Sequence, residues 1–244
     1  MSMNASEVFV KALENEGVQY VFGVPGEENI DFLEALRKSS IKFVLTRHEQ
    51  GAGFMADIYG RLTGKAGVCL ATLGPGATNL VTGLADANMD RAPVVAIIGQ
   101  GSTQRLHKES HQNMDAIAMV KPISKWAHSI VDGETIPEVV RKAFKLAEAE
   151  KPGVTVIELP EDVAKEQVLG RPMPVYKTRR PGADHKAVTQ AVEAIVAARR
   201  PVILAGNGAI RKRASGQVPV APDGKPMEGG DILKIGRASC RERV

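Results

Sequence analysis

Apolar and polar positions follow two alternating patterns from about residue 4 to residue 158. Some stretches repeat every three to four residues, as on one face of a helix; others are short apolar runs, as in a strand. The first helical stretch opens on Asn4 with Glu7 three residues later, a capping-box pairing, and sets Val8 and Leu13 on an apolar face. A strand over 19–22 follows, then a helix over 27–37, a strand over 41–45, and a helix over 48–62 with Met55, Ile58, Tyr59 and Leu62 on one side and Gly64 as its stop. Next come a strand over 67–72, a helix over 76–89, and a strand over 94–98 that starts at Pro93 and is apolar throughout, as a parallel strand covered on both faces should be. Residues 100–112 are polar, mixed in charge and aperiodic, a long loop of the kind that tends to be functional inside a compact domain. A strand over 125–131, a helix over 137–150 with Val139, Val140, Phe144 and Leu146 inward, and a strand over 154–159 complete the series.

Six strands alternating with helices predict an α/β fold: a doubly wound, mostly parallel six-stranded sheet with helices on both faces, followed by a truncated second α/β unit. The first domain is expected over 1–165 and a linker over 166–183, where the chain becomes Pro-containing and mixed in charge. The start of the second unit falls over 184–213, with a helix over 184–198 and a strand over 202–205, and an irregular tail over 214–244. The last ten residues, Ile235-Gly236-Arg237-Ala238-Ser239-Cys240-Arg241-Glu242-Arg243-Val244, look like the translation of a common sequencing-adapter oligonucleotide. The tail is therefore expected to be non-native and the chain a fragment of a longer reading frame.

At 43% hydrophobic and 25% charged residues, the 244-residue chain has an ordinary soluble composition. No window approaches the roughly 18 uninterrupted apolar residues of a membrane span, and the first residues lack the basic and apolar regions of an export signal. The expectation is a cytoplasmic protein without a membrane partner. Cys69 sits in a buried strand and Cys240 near the end, with no metal spacing and no reason to pair. The net charge of +4 suggests nucleic acid until the charges are located: Arg211 to Val244 holds eight Lys/Arg against four Asp/Glu, leaving twenty-four of each before it. A neutral body without a basic stripe argues against nucleic acid.

Three segments carry candidate chemistry. The run Arg47-His48-Glu49-Gln50-Gly51-Ala52-Gly53-Phe54-Met55-Ala56 places one carboxylate, Glu49, at the mouth of a helix directly after a strand, where parallel α/β sheets put reactive groups. An arbitrary glutamate there is most often a solvated acid stabilised by the helix dipole. His48-Glu49 is not a zinc motif, because Ala52 stands where a second histidine would fall. Gly23-Val24-Pro25-Gly26 and Leu73-Gly74-Pro75-Gly76-Ala77-Thr78-Asn79 are glycine turns; the second precedes a helix but lacks the Lys-Ser/Thr of a phosphate-binding loop. The third is the 100–112 loop, ending in Ser110-His111-Gln112. His48 reads as a helix cap, and His107, His128 and His185 suggest no partners. With Gly60-Arg61 and Thr63-Gly64-Lys65, these segments resemble the acetolactate synthase branch of thiamine-diphosphate enzymes, and the likeness covers about residues 4–210.

The resemblance implies that the first domain binds the pyrimidine half of thiamine diphosphate. Glu49 would be the activating acid, with Val24, Pro25, Gly26, Thr72, Gly76 and Asn79 around the ring. A carboxyl hydrogen-bonded to the pyrimidine nitrogen stabilises the imino tautomer of the exocyclic amine, the base that removes the C2 proton; the protein tunes and the cofactor reacts. His111 and Gln112 fall where this branch carries an aromatic residue or His followed by Gln, placed to meet the substrate carboxylate or the intermediate. Decarboxylases of the family carry paired histidines there, so a single His111 favours carboligation. Glu27 and Glu28 depart from the branch's small residues and resemble the acid of the decarboxylases. Gly206-Asn207-Gly208 looks like the opening of a central domain that holds FAD in some members, and FAD is not favoured here.

The complete parent would decarboxylate pyruvate and condense the fragment with a second 2-oxo acid, giving an acetohydroxy acid such as acetolactate. The sequence has no Gly-Asp-Gly metal segment, since Gly230-Asp231 continues as Ile232-Leu233, so this chain offers no metal site of its own. Diphosphate and Mg²⁺ would be held by a pyrophosphate domain of a second subunit, in a homodimer or homotetramer, and the fragment alone is expected to be inactive. The rival readings are a 2-oxo-acid decarboxylase of the same superfamily and a non-catalytic α/β binding module.

Overall fold

The computed structural model describes residues 2–176 and 182–202. The chain divides into two compact units at Tyr176 and Lys177. In the first unit a short strand β1 (Met3–Asn4) leads into α1 (Ala5–Asn15), β2 (Tyr20–Gly23), α2 (Ile30–Arg37), β3 (Lys42–Leu45), α3 (Glu49–Thr63), β4 (Gly67–Ala71), α4 (Pro75–Met89) and β5 (Val94–Gln100). Then follow α5 (Ala116–Val120), β6 (Trp126–Ser129), α6 (Ile136–Glu148), β7 (Val154–Pro160), α7 (Glu161–Ala164) and β8 (Gln167–Val168). In the second unit α8 (His185–Ala197) is capped by Asp184, whose carboxylate accepts from the Ala187 N–H at 2.9 Å. The predicted strand over 202–205 reaches beyond the described residues, as do Gly206-Asn207-Gly208, Cys240 and the whole tail.

The main sheet has the order β3-β2-β4-β5-β7-β6, and all its pairings are parallel. Side chains on the central strands alternate between two cores, as the two-residue period of a strand requires. Val68, Leu70, Val95, Ile97, Ile157 and Leu159 pack with α1, α2 and α6, including Phe9, Phe32 and Phe144. Cys69, Ala71, Val94, Ala96, Ile98, Val154 and Val156 pack with α3 and α4. The α/β fold read from the periodicity is the observed one. The predicted capping box on α1 is present, and Gly64 ends α3 in the left-handed conformation at φ 69°.

Three local features differ from expectation. On α6 the inward positions next to Phe144 belong to Ala143 and Ala147, while Leu146 is half-buried. Residues 167–168, inside the expected linker, form β8, which pairs antiparallel with β1 (Met3 opposite Val168). A chain end can be tied down by so short a ladder because Ser6 Oγ also donates to the Ala164 carbonyl at 2.9 Å and Ala5 N to the Glu166 carbonyl at 2.8 Å. The third concerns α3: its Met55, Ile58 and Leu62 do share one side, but that side is 46%, 50% and 82% exposed. The inward face is Ala52, Gly53, Ala56, Asp57 and Gly60.

Small residues win the inward face because α3 lies against β4 and α4 at backbone distance. A Cβ on Gly67 would stand 2.1 Å from the Ala56 carbonyl oxygen, one on Gly60 2.4 Å from that of Pro93, and one on Gly83 3.0 Å from the Gly53 backbone. At the far end of the same pair of helices, Arg61 bonds the buried Asp57 (2.7 Å) and reaches Asp86 (2.9 Å) and Asp90 (2.5 Å) on and just after α4. No described helix is long and apolar enough to cross a membrane. Gly67→Ala should cost about 1–3 kcal/mol by overpacking. Urea unfolding of the chain measures this, and an unchanged midpoint would show that α3 can back away from β4 freely.

Candidate functional site

The C-terminal ends of β2, β3, β4 and β5 each deliver a turn to the same edge of the sheet. The turn after β3 presents Glu49. Thr46 fixes its path: its N–H donates to the Gly23 carbonyl (2.9 Å) and its Oγ1 to the His48 carbonyl (3.1 Å). His48 caps α3, its Nδ1 accepting from the Gln50 N–H at 3.2 Å, so its ring serves the helix end. Glu49 is thereby the first residue of α3, with its carboxyl turned inward and only 9% exposed. Asn79 on α4 donates through Nδ2 to Glu49 Oε2 at 2.9 Å. Among the described residues the other oxygen, Oε1, accepts no hydrogen bond. It faces the backbone at Gly76, where a Cβ would lie 3.6 Å away.

Thr72, directly after β4, joins the other turns to this carboxyl. A Cβ on Gly26 would strike Thr72 Cβ at 2.3 Å, and one on Gly76 would come within 2.8 Å of its Cγ2. Thr72 Oγ1 donates to Glu28 Oε2 at 2.6 Å. Val24 and Gly26 are half-buried and Pro25 exposed in the turn after β2, whose path is held by the buried Asn29, with Nδ2 donating to the Ala71 carbonyl at 3.0 Å. The structure thus brings Gly26, Thr72, Gly76, Asn79 and Glu49 together, with Val24 and Pro25 on the adjoining turn.

His111 and Gln112 are exposed and belong to the long loop after β5. That loop is ordered by Asn113, whose Nδ2 donates to the Leu106 carbonyl at 3.0 Å and the Lys108 carbonyl at 3.2 Å. Its beginning is tied to α7: Thr103 N donates to Asp162 at 3.0 Å. Burial pushes the Asp162 carboxyl upward, but hydrogen bonds from Thr103 and Ser102 outweigh it and hold the group below its ordinary value. Gln112 has a left-handed backbone (φ 53°), and its carbonyl oxygen would lie 2.5 Å from a Cβ on Gly74, itself at φ 51°. Contact between loop and glycine turn is therefore backbone on backbone, which a side chain at 74 would prevent.

The sequence gives no functional signal for Asn29 or Glu158 and marks Gln100 only as the start of the long loop. A polar residue inside a turn or at a strand end gives no periodic signal; only its buried setting, 3–4% exposed for all three, marks it.

Oε1 of Glu49 supplies the test of whether a cofactor ring fits. Buried polar atoms without a partner are few in folded proteins and call for a physical explanation. Here the atom borders Gly76, which with Gly26 packs against Thr72, a small-residue surface that lets a flat ring approach and leaves an acceptor for a ring nitrogen. A pyrimidine fits these residues.

Comparison with known proteins agrees with this geometry. Residues 3–119 match the family described as thiamine pyrophosphate enzyme, N-terminal TPP binding domain. The chain is 42% identical to a probable acetolactate synthase large subunit of Methanocaldococcus jannaschii over 87% of its own length and 37% of the relative's. It is 40% identical to a glyoxylate carboligase of Escherichia coli O157:H7, covering 87% of this chain and 37% of that protein. With a catabolic acetolactate synthase of Raoultella terrigena it shares 38% identity over 94% of its length and 41% of the relative's. The chain thus spans well under half the length of these relatives. With the parallel sheet and its acid-and-glycine edge, these similarities establish that the chain belongs to the acetolactate synthase-like family of thiamine-diphosphate-dependent enzymes.

Proposed function

We propose that the polypeptide carrying this segment is a carboligase that decarboxylates pyruvate and joins the fragment to a second 2-oxo acid, with acetolactate as product, and that Glu49 activates its cofactor. The observation behind this reading is the buried Glu49 carboxyl with one oxygen fixed by Asn79 and the other unmet beside Gly76. Thiamine diphosphate supplies, when bound, a carbon nucleophile able to attack a ketone. Asn79 holds the carboxyl in one orientation, so that Oε1 can carry a proton to or from a ring nitrogen. Val24, Pro25, Gly26, Thr72 and Gly76 shape the surface against which the ring lies. His111 and Gln112 stand on the loop beside that surface, where the Gln112 amide can donate to a substrate carboxylate.

The relatives carry either an acetolactate synthase or a glyoxylate carboligase name at similar identity, so the acceptor must be decided by local residues. Glu28 gives a second reading specific support: accepting from Thr72 at 2.6 Å, it puts another acid beside the Thr72 surface, as a 2-oxo-acid decarboxylase would. Product analysis separates the two readings, with acetohydroxy acid supporting the first and free aldehyde alone the second.

Mg²⁺ and the diphosphate are assigned to a pyrophosphate domain on a second subunit, in a homodimer or homotetramer, and FAD is not assigned to this chain. The exposed Phe54, Met55, Ile58 and Leu62 of α3, with Met89 of α4, support a subunit surface there, because a monomer gains nothing by leaving such a row in water. In this reading the fragment by itself has no activity.

In the complete polypeptide, Glu49→Gln should slow exchange of the cofactor's C2 proton by about 10²-fold or more, the scale of a lost proton-transfer group. Proton NMR of the bound cofactor in D₂O measures it, and an unchanged rate removes Glu49 from the role. Ile58→Glu should convert the assembled form to monomer in sedimentation velocity, and persistence of the assembly would place the interface elsewhere.

A further inference from the structure

Under the long loop lies a cavity of about 480 Å³, lined by Gln100, His107, Lys108, Glu109, Asp115 and Glu158, among others. Glu158 is only 4% exposed, and its hydrogen bonds go to residues other than those around Glu49. Burying a carboxyl is unfavourable unless its oxygens are met. Ser129 and Gln100 meet this one, Gln100 Nε2 donating to Glu158 Oε1 at 3.1 Å. The same Nε2 donates to the Met114 carbonyl at 3.1 Å, and Gln100 Oε1 accepts from the Gly101 N–H at 2.9 Å. These three contacts leave a single orientation for the amide. One side chain thus ties the floor of the cavity, at the ends of β5 and β7, to the roof.

Met114 follows Gln112 by two residues, and Gln112 rests on Gly74, the residue that opens α4. The same helix carries Gly76 and Asn79, and Asn79 orients Glu49. We infer that Gln100 and Glu158 are positioning residues that clamp the 112–114 backbone onto the Gly74 turn and so set where His111 and Gln112 stand relative to Glu49. The assignment rests on the proposed substrate-facing role of His111 and Gln112, whereas its test reads loop order and does not require that role.

The clamp has a property that mere packing lacks. Burial pushes the Glu158 carboxyl above its ordinary value of 4.5, against the hydrogen bonds from Ser129 and Gln100, and the Asp115 carboxylate adds to the rise. Lifting the loop returns Glu158 to water. The closed loop therefore binds a proton more tightly than the open one, and closure is fully favoured below the ordinary value and weakens as pH rises through the elevated one. Asp162, which ties the loop start, is held below 3.8 and so stays charged across this window.

The experiment is amide hydrogen exchange of the 244-residue chain from pH 4.5 upward to pH 8, corrected for intrinsic rates, for the parent, Gln100→Met and Glu158→Gln. In Gln100→Met, peptides covering 106–115 should exchange about tenfold faster, while those in β4 and β5 keep their protection. In the parent, loop protection should fall as pH rises; in Glu158→Gln, which keeps the acceptor but cannot ionise, it should stay high and flat. His107, Lys108, Glu109 and Asp115 remain in that variant, so a pH step that persists in it would overturn the inference, as would an unchanged loop in a folded Gln100→Met. Should Gln100→Met lose protection in β4 and β5 as well, the Glu158→Gln profile alone decides.

Discussion

A single hydrogen bond between two helices, from Asn79 on α4 to Glu49 at the start of α3, fixes the geometry of the candidate site. It depends on how closely those helices approach. Gly53 and Gly83 meet at backbone distance, and the inward face of α3 is built from Ala and Gly, so the first turn of α3 is held beside the first turns of α4. Arg61, bonded to Asp57 and reaching Asp86 and Asp90, closes the other end of the pair. A buried polar group left without a partner costs about 1–3 kcal/mol. Glu49 Oε1 bears such a cost in the structure described, and a ring nitrogen donating or accepting a proton there would remove it.

The same constraint explains the exposed side of α3. With the small residues committed inward, the large apolar residues at 55, 58 and 62 have nowhere to go but outward. A helix that must approach its neighbours closely on one side and cover another surface on the other shows this inversion, small residues in the core and large ones at the rim. Under the proposed sharing of the cofactor between two domains, this apolar surface, continuous with the acid-bearing helix, is a physically economical place for a second subunit to meet the first.

Much of this was legible in the sequence, and the reasons are specific. Parallel strands such as 94–98 are buried on both faces and so appear as unbroken apolar runs, while the Asn4–Glu7 box and Gly64 mark helix ends through residue types that only those positions favour. Glu49, Thr72, Gly76 and Asn79 were named from the resemblance, and the structure places them together. Other features were not legible. Which side of α3 faces inward cannot be read from hydrophobicity when the inward side is glycine and alanine. β1 and β8 are two residues each, too short to show a period. The pairing of Gln100 with Glu158 joins positions 58 residues apart, and nothing in either neighbourhood announces the other.

The central claim, that the Glu49 carboxyl meets the cofactor's ring, is tested most directly by a crystal structure of the complete polypeptide with thiamine diphosphate bound. The account predicts Glu49 Oε1 at hydrogen-bond distance, about 2.7–3.2 Å, from the pyrimidine nitrogen, with Asn79 still on Oε2. A ring seated away from Glu49, with that oxygen facing water or another protein group, would contradict it.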